Sequence, residues 1–518
     1  MSAFFEDNKS ETNLAGKAVR SGVLSVFARA ATGVLQLATT LFLARLLTPE
    51  DFGLVAIVLA LSGFAPFLID LGLSDATIQR PKITHTQVSM LFWMSLGLSL
   101  CAACLLWLAS PLIASIYHQP VLRGIAIATA VSFIFFGLSV QHIALLRRAM
   151  RFGNLAVIDI GSYLAGASVA IVMAVHGSGY WALVARQIVT SVCMAAGAWI
   201  SCNWKPGLPR FDPAANSMMR FGIHVSGYSV TNFITHAVDR AALGLVYGPR
   251  LVGFYQNALV LYENSVNAIV GPLHNVGVSA LSKLYQEPEE LKRRYAMALS
   301  NVAFYSMPAF ATLAVIGWDL VPWLLGEKWS YAGKILSILA FRGLLHPIEG
   351  SQGWLHLALG QPKRWMYWGI LTAMVQVVAV CLGLPFGVVG VAVAYVLAGS
   401  VLALPSVLYA GRPIHINVRL ITQAVGRQFI AGVVGLFAGG GILLLLPESA
   451  GRIARIISSG SMCLGGYLVV VVGIFRLSEP LRLGFASLKR FIPWQIYSRS
   501  GLRSATHSSE IGVRRERL

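Results

Sequence analysis

Charge is what this sequence has least of. Lys and Arg number 40 and Asp and Glu 21 among 518 residues, so charged residues make up 12%, about half of the roughly 25% usual in globular domains. That supply cannot coat several water-soluble domains, and 56% apolar residues exclude a disordered chain as well. Cysteine is also scarce. Cys101, Cys104, Cys193, Cys202, Cys381 and Cys463 all fall within or at the end of apolar runs, which argues against a disulfide framework. Cys101-x-x-Cys104 has redox or zinc spacing but no His beside it, and reads as two buried apolar residues. No G-x-x-x-x-G-K-S/T loop, nucleophile elbow or metal-ligand spacing occurs. Neither ATP hydrolysis nor another enzymatic activity is expected, and no cofactor or metal.

What is present instead is one apolar run after another. A helix crosses the hydrocarbon core with about 20 apolar residues. Fourteen such stretches occur, near 22–44, 52–74, 87–109, 122–144, 154–175, 179–201, 221–246, 252–279, 296–317, 331–357, 365–385, 388–410, 428–446 and 454–475. The longest loops, near 202–220 and 280–295, leave no room for an extramembrane domain. The net charge of +19 sorts by side. The N-terminal segment, the even-numbered loops and the basic tail hold 29 Lys and Arg, against five in the odd-numbered loops (Arg45, Arg123, Arg250, Lys328 and Arg452). Such a bias marks cytoplasmic loops. It places both termini in the cytoplasm and explains the basic balance without nucleic acid as a partner. Trp318, Trp323 and Trp329 fall in one odd-numbered loop and read as membrane-interface anchors.

The chain also repeats itself at an offset of 200. Pro49 and Gly53 recur as Pro249 and Gly253, each pair closing one long span and opening the next. Arg29, Thr32, Gln36, Thr39 and Thr40 of span 1 are matched by Ser229, Asn232, His236, Asp239 and Arg240 of span 7, a polar stripe on one helical face. A weaker echo links Gly177 to Ala182 with Gly387 to Ala392. Six helices per unit is an even number, so the halves enter the membrane from the same side. The expected fold is an all-α polytopic membrane protein of about 14 transmembrane helices. Two six-helix lobes are related by a parallel pseudo-two-fold repeat, with two extra C-terminal helices. The segments are 1–20 (cytoplasmic), 21–202 (N-lobe), 203–220 (linker), 221–411 (C-lobe), 424–475 (spans 13 and 14) and 476–518 (tail). Facing bundles of this kind suggest alternating access.

A charge at the bilayer centre costs about 2.5–3.5 kcal/mol on insertion scales, so intramembrane charges face a bundle interior or a wet cavity. Arg29, Gln36, His236, Arg240, Arg342 and His346 are the candidates for holding an anionic headgroup. Asp239, Glu263 and Glu349 are the candidates for a coupling H+ or Na+. Arg342, His346, Glu349 and His356 form one stripe on span 10. Asp70 and Arg186 read as helix-end residues.

The stretch from Leu43 through Thr48-Pro49-Glu50-Asp51-Phe52-Gly53, the Arg147/Arg148/Arg151-Phe152 loop and Gly177-Ser-Gly-Tyr-Trp-Ala182 resemble bacterial polysaccharide-type flippases. These belong to the multidrug/oligosaccharidyl-lipid/polysaccharide exporter superfamily, and the resemblance runs from about residue 15 to 475. It implies translocation of a polyprenyl-pyrophosphate-linked oligosaccharide across the inner membrane, in lipopolysaccharide or exopolysaccharide assembly. The implied partners are the lipid-linked oligosaccharide, the bilayer and other polysaccharide-assembly proteins. It also implies a cationic central cavity, with Arg29 and Arg240 placed to hold the diphosphate from opposite lobes. A polysaccharide polymerase or ligase and a cation-coupled multidrug exporter are the alternatives.

Overall fold

The structure, a computed structural model, describes residues 14–80, 83–209, 231, 233–235, 237–282, 284, 287–447 and 450–477. Among them there are helices and turns and no strand. The N-terminal helices are α1 (Leu14–Leu46), α2 (Pro49–Ser62), α3 (Ala65–Asp70), α4 (Leu73–Gln79), α5 (His85–Ile116), α6 (Val121–Arg148), α7 (Phe152–Val175) and α8 (Trp181–Cys202). The remainder are α9 (237–247), α10 (Pro249–Ser282), α11 (Pro288–Leu325), α12 (Ser330–Ala358), α13 (Pro362–Gly383), α14 (Gly387–Ala410), α15 (Val418–Leu445) and α16 (Arg452–Leu468). Helices occupy each of the fourteen expected spans, the seventh in part.

Nine stretches of the described residues are long and apolar enough to cross a membrane, and Lys363–Ala410 carries both α13 and α14. This is a multi-pass membrane protein. The 34-residue α10 and 29-residue α12 fall outside those nine stretches. Gln256, Asn257, Glu263, Asn264 and Asn267 interrupt one, and Arg342, His346, Glu349 and His356 the other. Both helices line the cavities described below.

The repeat appears in the packing. In the N-lobe α5 packs on α6, α6 on α8, and α7 on α8. In the C-lobe α11 packs on α12, α12 on α14, and α13 on α14. Gly177, ahead of α8, and Gly387, the first residue of α14, share a positive φ of +77° and +76°. α15 and α16 pack on each other and on α11. The lobes meet chiefly where α2 crosses α10. There a Cβ on Gly53 would collide with the carbonyl oxygen of Pro249, and a Cβ on Gly253 with that of Pro49. The contact is reciprocal, as at a two-fold axis, and two backbones approach so closely only without side chains between them.

Where the repeat is imperfect, the cause is local. Span 2 was expected to be continuous over 52–74, but it is broken into α2, α3 and α4. Pro66 has no N–H for the carbonyl one turn back, and the chain kinks at Gly63–Phe64. It turns again at Leu71 and Gly72, with φ 41° and 66°. Asp70 accepts from Ser74 N and Oγ at 3.0 and 2.7 Å, bridging that second turn, so its helix-end reading holds. The matching α10 is unbroken. Two boundaries also shift. α1 begins at Leu14, and α11 begins at Pro288, so most of the expected 280–295 loop is helix. On that extension Lys292 pairs with Glu289, and Arg293 and Arg294 with Glu290.

Candidate functional site

One end of the bundle carries the few bases of the odd-numbered loops, and here the lobes lock together. Thr48 starts α2 with a capping box. Its Oγ1 accepts from Asp51 N at 3.2 Å, while Asp51 Oδ2 accepts from Thr48 N at 2.9 Å. The carbonyls ending α1 are capped from the other lobe. Trp329 Nε1 donates to Ala44 O at 2.8 Å, and Lys328 Nζ donates to Arg45 O and Leu47 O at 2.9 and 2.7 Å. In return Arg45 donates to Leu324 O and Trp323 O, the last carbonyls of α11, at 2.9 and 3.3 Å. Each cation thus sits at the negative end of the opposing helix. Burial lowers the Lys328 pKa, and the nearby Asp51 carboxylate partly offsets this. The ring of Trp329 meets Phe52 and Phe254 edge-on at 5.4 and 5.9 Å. The expectation that three tryptophans share a loop as interface anchors is therefore corrected. Trp318 and Trp323 lie on α11 with about half their surface exposed, but Trp329 is fully buried.

Beneath this closed end lies a cavity of about 260 Å³ between the lobes, cavity 1. Gln36 and Thr40 of α1, the 52–59 face of α2, Tyr163 and Arg186 line it from one lobe. Arg240 of α9 and Gln256, Asn257 and Asn264 of α10 line it from the other. Its two charged side chains among the described residues are both arginines. Arg240 is held in place: its Nη1 donates to Gln256 Oε1 at 3.0 Å, and its Nε lies 3.6 Å from Asp239 Oδ1. Asp239 is fully buried and accepts from Tyr255 Oη and the Arg240 backbone N–H, each at 2.7 Å. It lies behind Arg240 and lines neither cavity.

A second cavity of about 360 Å³, cavity 2, lies deeper toward the base-rich end. Phe67 of α3, Phe233, Tyr262, Glu263 and Asn267 of α10, Arg342, His346 and Glu349 of α12, and Tyr395 of α14 line it. Arg342 is buried, and its charge is spent locally. Nη2 and Nε donate to the two Glu349 oxygens at 2.6 and 3.2 Å, and the guanidinium stacks 4.1 Å from the Tyr395 ring centre. His356 lies outside this cavity, stacked on Trp365.

The expected site residues therefore divide. Gln36 and Arg240 meet in cavity 1, and Arg342, His346, Glu263 and Glu349 in cavity 2. His236 and the Arg29 side chain lie outside the described residues, so Arg29 and Arg240 are not seen facing one another. Arg186, read as a helix-end residue, lines cavity 1. Gln256, Tyr262 and Tyr395 gave no signal as site residues. Gln256 and Glu263 are seven apart on α10, a spacing that places them on one face. Cys101 and Cys104 are exposed on α5 rather than buried. No group of His, Cys, Asp and Glu among the described residues is arranged to hold a metal ion.

Comparison with known proteins gives concordant results. A family model described as "Polysaccharide biosynthesis protein" matches residues 42–333. The lipopolysaccharide biosynthesis protein WzxC of Escherichia coli (strain K12) is 25% identical over 365 residues, 68% of this chain and 73% of that protein. The succinoglycan biosynthesis transport protein ExoT of Rhizobium meliloti (strain 1021) is 24% identical over 364 residues, 69% of this chain and 73% of that protein. The lipid II flippase MurJ, in an inward closed conformation, superposes with a TM-score of 0.71 at 14% identity, covering 88% of this chain and 99% of that one. An inward-facing multidrug resistance MATE family transporter superposes with a TM-score of 0.61 at 15% identity, covering 74% of this chain and 94% of that one. The two structures share its fold.

Proposed function

Since the chain belongs to the polysaccharide biosynthesis protein family, we propose that it is a transporter that flips a polyprenyl-pyrophosphate-linked oligosaccharide across a bacterial inner membrane. The observation that carries this reading is cavity 1, which lies between the lobes and is lined, among the described residues, by Arg186 and Arg240 and by no carboxylate. Guanidinium groups offer forked donors that match phosphate oxygens. The same lining disfavours a cationic drug, which needs the opposite sign.

In this reading the base-rich end faces the cytoplasm. The diphosphate enters from the inner leaflet and docks on Arg186 and Arg240, while the lipid tail stays in the bilayer. The lobes then rock about the Gly53–Gly253 crossing. The Lys328, Trp329 and Arg45 contacts release, and the head leaves on the far side. Asp239 serves as a support for Arg240 and not as a coupling-ion ligand.

The test is deletion of the gene, followed by assignment of lipid-linked oligosaccharide to one leaflet. Build-up on the inner leaflet with loss of surface polysaccharide is the expected result. Single repeat units accumulating on the outer leaflet would mean a polymerase. No accumulation at all would mean that the substrate is something else.

A further inference from the structure

The transport reading leaves cavity 2 without a role, although it is the larger of the two and adjoins cavity 1 along α10. Asn264 lines cavity 1, and Glu263 and Asn267 line cavity 2. From Gln256 to Glu263 is about 10 Å along the helix at 1.5 Å per residue. Gln256 in cavity 1 and Glu263 in cavity 2 thus lie about two helical turns apart along α10.

Its lining differs in kind from that of cavity 1. Arg342 is bound to Glu349, and the described lining holds two carboxylates to one guanidinium, so it suits a phosphate less than cavity 1 does. Phe67 of α3 and Phe233, ahead of α9, stand 6.4 Å apart with rings tilted at 52°, forming an apolar corner. Opposite it are carboxylates, an amide and an imidazole. Tyr262 is 3% exposed, and its Oη has no hydrogen-bond partner among the described residues. A buried hydroxyl without a partner is costly unless a ligand or water completes it. Aromatic faces beside planar acceptors and donors suit a sugar ring, with its apolar C–H faces and rim of hydroxyls. The volume lies within the range of small-ligand sites.

We propose that cavity 2 is the saccharide subsite: the glycan packs against Phe67 and Phe233 and bonds to Tyr262, Glu263, Asn267 and Glu349, while its diphosphate rests in cavity 1. This rests on the transport reading above. It makes the C-lobe the part of the molecule that recognises the sugar.

The test uses the full-length protein in nanodiscs and two probes, polyprenyl pyrophosphate alone and the same lipid carrying the producing strain's repeat unit. Wild type is expected to bind the glycosylated lipid at least about tenfold tighter, the equivalent of one good hydrogen bond. Tyr262→Phe and Asn267→Ala should erase that preference while leaving the bare lipid's Kd within about twofold, and Arg240→Gln should weaken both lipids. Equal wild-type affinity for the two probes overturns the subsite and leaves the transport reading standing. So does an equal loss on both probes in Tyr262→Phe. A Na+-dependent rise in melting temperature seen in wild type but not in Tyr262→Phe would make cavity 2 a cation site and also overturn the proposal. If wild type binds neither lipid, the transport reading fails, and the subsite with it.

Discussion

The two cavities share α10 and little else. Cavity 1 draws its lining from both lobes and holds, among the described residues, two arginines and four amide side chains. Cavity 2 is built mostly within the C-lobe and spends its arginine on an internal carboxylate. A count of intramembrane charges treats Arg240 and Arg342 alike. Their partners separate them. Arg240 is steadied from behind by Asp239 and from the side by Gln256, so its guanidinium remains directed at the space between the lobes. Arg342 is enclosed by Glu349 and Tyr395 and serves to hold α12 against α14. An intramembrane cation is informative about substrate only once its counter-charge is located.

That contrast can be broken most severely in cavity 1. Arg186→Gln combined with Arg240→Gln is expected to lower flipping at least about a hundredfold, at about 1.5–3 kcal/mol per charge-assisted hydrogen bond lost. The measurement is lipid translocation in proteoliposomes, normalised to folded protein. Transport at the wild-type rate would erase the distinction. Cavity 2 should answer in stability. Glu349→Gln leaves a buried guanidinium without its carboxylate, at about 3–5 kcal/mol, and should lower the melting temperature. Pairing it with Arg342→Leu should restore much of the loss. Outside both cavities, Trp329→Phe removes one hydrogen bond to Ala44 O, worth about 1 kcal/mol. It should raise thiol labelling of Leu47→Cys, in a cysteine-free background, by roughly fivefold as the closed end loosens. Labelling that stays unchanged would mean that the Lys328 and Arg45 contacts hold that end alone.

Much of this architecture was legible in the residues. Pro49 with Gly53 and Pro249 with Gly253 announced the repeat, and the structure puts those same residues at the axis. The breaks in span 2 were not legible, because hydropathy reads Pro66 and Gly72 as two more tolerated residues in an apolar run, whereas the backbone needs an N–H and a negative φ there. Arg186 was hidden by its nearness to the start of α8. Tyr262 and Tyr395 were hidden because a hydroxyl-bearing ring counts as apolar in a periodicity. The place of Asp239 outside both cavities was not legible either, for a geometric reason. Neighbours on a helix point about 100° apart, so Arg240 can face the cavity while Asp239 stays enclosed behind it, a division that spacing alone does not reveal.

The crossing of α2 and α10 has a consequence for how substitutions combine. Gly53 and Gly253 occupy the same point of the molecule, one from each lobe. The first methyl group added at either position already forces the helices apart. The second then enters a gap that the first has opened, so Gly53→Ala and Gly253→Ala together should cost clearly less than the sum of the two alone. In energetic terms, two positions 200 residues apart in the chain behave as a single one.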